Sequence, residues 1–294
     1  MRSRNPGLAI LLAATCLLAG GASAHTLFIK PDPFVTSPGE TIKVNVINGT
    51  FLKSENRIKK SAASSAGIFG PGGEELDFAD DDWVSVDKMS VLRARFPEPG
   101  NYIVAITNYL QKITLDAESF NHYLRYEGLL EQQEEREKLE ETGIEVVEKY
   151  QKFAKALVQV GDEQTENFAA EHGHEVEIVP LTNPYPLSAG DLFRARVLRD
   201  GKPLTNMRVF ATHEGYMPQD DEGIFDEAAK VVSDAAGEVE FEITAPGKWY
   251  VRFIDLRRES DSEYWYSGLL SSIGADEKRI VYESKWATLT FEIH

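Results

Sequence analysis

The chain has 294 residues, 31 Lys and Arg against 48 Asp and Glu, and a formal net charge of −17. That length fits one or two domains, and the acidity excludes nucleic acid and an anionic membrane surface as electrostatic partners. The single cysteine, Cys16, falls in the first segment described below, so disulfides and thiol chemistry are excluded from everything after it.

Taken in chain order, Arg2 and Arg4 precede the apolar run Leu8–Ala19, and Ala22-Ser-Ala24 follows it. A basic start, a short apolar core and an A-x-A site predict a secretory signal peptide over 1–24, cleaved after Ala24. The run is too short for a permanent span, and no later segment is long and apolar enough to be one. The residues before Cys16 do not form a lipobox, so the expectation is a soluble periplasmic protein with no transmembrane anchor after processing. Cleavage makes His25 the first mature residue. Its α-amine and imidazole are both good donors for nickel, cobalt, copper or zinc.

An N-terminal β-sandwich is predicted over 25–115. Pro33-Phe34-Val-Thr-Ser37-Pro-Gly39-Glu40 leads into the alternating stretch 41–46. Residues 54–82, with Gly70-Pro-Gly-Gly73 and an acidic run at 77–82, read as a long irregular loop without the ligand spacing of a calcium loop. Residues 116–160 read as a helical segment, with helices over about 117–140 and 144–158. The second helix rests on Val146, Val147, Tyr150, Phe153, Ala154 and Leu157 at helical spacing.

A C-terminal immunoglobulin-like β-sandwich is predicted over 161–294, because the first pattern returns. Pro184-Tyr185-Pro-Leu-Ser188-Ala-Gly190-Asp191 repeats the block at Pro33 and leads into 192–197. Ile243-Thr-Ala-Pro246-Gly247-Lys-Trp249 likewise repeats Phe96-Pro-Glu-Pro99-Gly100-Asn-Tyr102. Two matches in the same order at nearly one offset point to duplication. The fold class expected is therefore mainly β, two immunoglobulin-like sandwiches joined by a helical segment.

No nucleophile elbow, phosphate loop, zinc-protease helix or dinucleotide fingerprint is present, so the chain is not read as an enzyme. Metal ligation is the chemistry left to test. His172-Gly-His174 is a His-x-His whose rings would face one way on a strand. His213 closes the stretch 207–212. His122 reads as a surface or packing residue and His294 as an exposed terminus. Tyr264-Trp265-Tyr266 is an aromatic group suited to a sugar or peptide partner.

The mature chain resembles an exported bacterial family of unknown function, often described as a nickel- or cobalt-uptake substrate-binding component. The resemblance is carried by His25 with Leu27-Phe28 and Pro31, by Phe120-Asn-His-Tyr-Leu124, by Glu177-Ile-Val-Pro180-Leu-Thr-Asn183-Pro184-Tyr185, and most specifically by Tyr282-Glu-Ser-Lys-Trp286-Ala-Thr-Leu-Thr-Phe291. It implies a periplasmic protein with an immunoglobulin-like domain and a link to transition-metal uptake. Where the resemblance leads one to expect a histidine, this chain has Asp255, a harder oxygen donor.

Three readings follow. The first is a periplasmic protein that captures a divalent transition metal or its chelate for a membrane transporter or outer-membrane receptor. Its ligands would be His25 with Asp255, His213 or the His172/His174 pair. The second is a metal-free interaction module for a protein partner or glycan. The third is a copper oxidase with a histidine brace, which needs a second histidine beside His25.

Overall fold

The computed structural model describes residues 25–216, 218, 226–259, 264–265 and 278–294, with backbone alone at 264–265 and 278–279. The signal peptide expected over 1–24 and Tyr266 lie outside the described residues, as do the side chains of Tyr264 and Trp265.

The architecture is mainly β, as expected: the described residues form three layered sheets and two short α-helices. The first outer sheet runs β1 (Thr26–Asp32), β2 (Thr41–Thr50), β4 (Met89–Arg95) and then the short strand Trp83–Val86. The second outer sheet pairs β7 (Val176–Pro180) and β10 (Glu238–Glu242) with β8 (Leu192–Arg199). Between them lies a central sheet in the order β9 (Arg208–His213), β11 (Gly247–Arg258), β12 (Lys278–Ile293), β6 (Val146–Val160), β5 (Gly100–Asn108), β3 (Ala63–Phe69). Among the described residues no helix is long and apolar enough to cross a membrane.

Strand alternation distributes the central sheet between two cores. Tyr102, Val104, Ala154 and Val158 pack on Leu27, Ile29, Val44 and Leu92 of the first outer sheet. Ile103, Phe153, Leu157, Trp249 and Phe291 turn the other way, onto Ile178, Phe193, Val197 and Phe241 of the second. A strand buried on both faces shows no apolar–polar alternation.

That corrects the helix expected over 144–158, which is the strand β6. It pairs in parallel with β12 along 146–156 and antiparallel with Gln111–Leu115 and β5 on its other edge. Its apolar residues serve two cores, and that mixture mimics a helical period. The first helix is real but shorter. α1 (Ala117–Tyr126) and α2 (Leu130–Lys138) are separate. Asp116 caps α1, accepting from the Ser119 backbone N–H at 2.8 Å. The break falls at Gly128, at φ +70°.

The loop expected over 54–82 also contains a central-sheet strand, β3. Its small residues 63–66 hid it, and Ser64 Oγ bonds Thr107 O and Asn108 O instead of packing.

The two halves repeat in detail. Gly39 N–H donates to Phe96 O at 2.6 Å, and Gly190 N–H donates to Ile243 O at 2.8 Å. Tyr102 O–H donates to Glu98 O at 3.0 Å, and Trp249 Nε1–H donates to Ala245 O at 2.9 Å. Each half thus closes its turn with the same glycine and anchors its central strand with the same aromatic position.

Candidate functional site

β11 turns Trp249, Val251 and Phe253 into the second core and Tyr250, Arg252, Ile254 and Leu256 to the opposite face. On that face α1 packs Phe120, Tyr123 and Leu124 against Ile254, Leu256, Tyr282 and Trp286. The first outer sheet covers the same face nearby, where Thr288 Oγ1 donates to Leu27 O at 2.7 Å. The end of α1, the start of β1 and the end of β9 leave a cleft of about 790 Å³, its open mouth included. His25, Phe28, Phe51, Tyr126, Glu127, Thr212, His213, Tyr216, Glu227, Tyr250 and Arg252 line it.

Its floor is charged and buried. Arg252 Nη1 donates to Glu127 at 2.7 Å and Nη2 to Glu227 at 2.5 Å, and all three side chains are at most 8% exposed. The guanidinium also lies 4.6 Å above the Phe210 ring. Burial opposes its charge, but Glu127 and Glu227 outweigh that and push the Arg252 pKa up. Burial likewise raises Glu127, against the pull of Arg252.

At the mouth, His25 Nε2 stands 3.7 Å from Glu55 Oε2. The His25 carbonyl accepts a short hydrogen bond from Lys152 Nζ, which also reaches Asn48 Oδ1 at 3.3 Å. Lys152 projects from β6 between the Tyr150 and Trp286 rings. Burial lowers its pKa to about 8, against Glu148 and Glu127. Burial also lowers His25, favouring the neutral imidazole that a metal needs, with Glu55 opposing and Lys152 assisting.

The other sequence-picked residues disperse. His213 lines the cleft, but its ring rests 4.8 Å from Trp249, and Nδ1 is 2.9 Å from Glu214 O. Asp255 is on the opposite face of β11, held by Arg199 at 2.5 Å and by Arg257 at 2.9 Å. His172 and His174 sit in the irregular segment before β7, not on a strand, also on that opposite face beside Phe69, Phe153 and Lys155. Among the described residues no three His, Cys, Asp or Glu side chains are grouped to hold a metal. Glu55, Glu127, Glu227, Arg252 and Lys152 were missed from sequence. Among 48 acids and 31 bases nothing marks them before the fold pairs them.

Comparison with known families matches residues 22–254 to one described as "Domain of unknown function (DUF4198)". No curated protein matches the chain. Among solved structures it is similar to the D0-D1 domain of intimin, at 12% identity over 90% of this chain and 97% of that one, TM-score 0.20. It is similar to the human OSCAR ligand-binding domain at 13% identity, over 90% and 97%, TM-score 0.20. It is also similar to Escherichia coli alpha-2-macroglobulin activated by porcine elastase, at 12% identity, over 92% and 20%, TM-score 0.23.

Proposed function

The chain belongs to the DUF4198 family of unknown function, and from that premise we propose that it is an exported binding protein whose mature N-terminus captures a divalent transition metal, bare or chelated, at the mouth of the cleft. One observation carries this reading: the residue that cleavage would make the terminus, His25, is held by its carbonyl at the cleft with its Nε2 facing Glu55.

The chemistry follows from the donor set. The α-amine and Nδ1 of a terminal histidine close a six-membered chelate ring on one cation. Nε2 is then free to donate to a carboxylate, which fixes ring orientation and strengthens the donor. Glu55 is placed for that role. Two nitrogen donors from one residue suit nickel, copper, cobalt and zinc. The resemblance to nickel- and cobalt-uptake components supports the same class, with a membrane transporter or outer-membrane receptor as the receiver. Asp255, His172 and His174 take no part in this reading, because they lie across the central sheet. A copper brace is not favoured, since the His213 ring packs on Trp249.

Calorimetric titration with Ni²⁺, Co²⁺, Cu²⁺ and Zn²⁺ tests the proposal on mature protein with an authentic His25 terminus. The same protein extended by one alanine before His25 should bind at least tenfold more weakly. Equal affinity of the two forms overturns the terminal site. The aromatic lining of the cleft by Phe51, Tyr126, Tyr216 and Tyr250 favours a second reading, a metal-free module for an organic or protein ligand. It gains if neither form binds any of the four ions.

A further inference from the structure

His172 and His174 answer to a different chemistry from the cleft. Their ring centroids are 6.4 Å apart, with the left-handed Gly173 (φ +69°) between them. His172 Nε2 and His174 Nδ1 are both buried, and neither has a hydrogen-bond partner. Buried polar atoms are nearly always satisfied, and these two ring nitrogens, on residues two apart, are both left available as donors. We propose that His172 and His174 form a second metal site, across the central sheet from the cleft, for a soft monovalent cation: copper(I), with silver(I) as its surrogate.

The spacing fits. Two imidazoles that face each other across a metal, with nitrogen–metal bonds of about 2 Å, have centroids roughly 6 Å apart. The number of donors selects the ion. With no third side-chain ligand grouped among the described residues, the site suits a cation content with two-coordinate geometry. Copper(I) and silver(I) are such cations; nickel(II) and zinc(II) are not.

Charge selects in the same direction. Lys155 Nζ and Glu177 Oε1 form a 2.8 Å ion pair next to the histidines, both side chains at most 2% exposed. Glu177 also accepts the His172 backbone N–H at 2.9 Å. The carboxylate is thus committed, and the pair supplies no net negative charge to offset a buried dication. One positive charge is tolerated more easily in this apolar surrounding, where the Phe69 ring lies 4.2 Å from His172 and the Phe153 ring 5.6 Å from His174. Burial, then Lys155, holds both imidazoles near pKa 4, so their lone pairs are free at neutral pH.

The test uses the mature protein under anaerobic reducing conditions, with copper(I) titrated against bicinchoninate. The wild type should take one equivalent that His172→Phe loses, a drop of at least tenfold in affinity. The form with alanine before His25 should keep it. Phenylalanine preserves the packing on Phe69, so the metal-free variant should melt at or above the wild-type temperature. Copper(I) binding that is unchanged in His172→Phe overturns the site. Nitrogen-15 histidine NMR of the wild type with silver(I) gives a second readout free of any folding defect. The ring nitrogens of His172 and His174 should shift together, and their failure to shift overturns the proposal equally.

Discussion

The residues that matter most divide into those a sequence can show and those only pairing can show. His25 is legible because a cleavage site stands directly before it. Arg252 is not, because its role is to lie between Glu127 and Glu227 in a buried floor. Replacing Arg252 with Met leaves two buried carboxylates uncompensated, and such losses cost about 3–5 kcal/mol. Urea unfolding should show that loss, whereas adding Glu127→Gln and Glu227→Gln to Arg252→Met should recover most of it. No recovery would mean that the arginine acts through packing on Phe210 instead. The two half-buried histidines, His172 and His174, give a pH dependence whose sign is set. Their folded pKa values, near 4, lie below the usual 6.5. Between those values the unfolded chain binds more protons, so stability falls as pH drops from about 6.5 towards 4. A shift of that size corresponds to about 3 kcal/mol per histidine, and solvent screening of these half-buried rings brings it to about 1–2 kcal/mol. His174→Phe should flatten the urea midpoint against pH in that window, and an unchanged slope would contradict the assignment.

β2 and β8, with one buried face, are legible as strands from alternation, and the doubly buried β5 and β11 are legible from their Pro-Gly turns, whereas β6, with neither signal, is not. β2 and β8 alternate cleanly because each has one face on a core, and both were predicted. β6 has a core on each side, and its buried Glu148, Lys152 and Lys155 each find a partner, so neither period nor polarity marks it as a strand. The long helix was misjudged at one point. Gly128 is left-handed, and a Cβ there would stand 2.7 Å from Phe210 Cζ. Nothing in a composition rich in Glu, Gln and Leu announces that turn. Gly128→Ala should therefore cost about 1–3 kcal/mol through backbone strain and the clash. Because Glu127 precedes it, the same substitution should loosen the Arg252 floor. A thermal melt checks the first effect, and a stability equal to wild type would show that the turn can relax.

At the scale of the molecule the repeated turns and anchors of the two halves account for both the fold and the place of the cleft. Each half contributes one outer sheet and one glycine-closed, aromatic-anchored central strand. The halves then merge, since β6 joins β12 on one edge and β5 on the other. Repeated turns made the halves visible in sequence; the merger was not, because it rests on a parallel pairing between strands more than a hundred residues apart. The cleft lies where the first outer sheet and the helices meet on one face of the merged sheet, a place that neither half builds alone. A sheet shared in this way has a thermodynamic consequence. Leu92 belongs to the first core and Phe193 to the second, and both are fully buried. Leu92→Ala should cost about 2–5 kcal/mol and Phe193→Ala about 3–5 kcal/mol. Neither sandwich can lose its core and leave the central strands paired, so both substitutions should lower one common transition. Calorimetry should give a van't Hoff enthalpy equal to the calorimetric one in the wild type and in each variant. A second transition appearing in either variant would mean that the sandwiches unfold independently despite the strands they share.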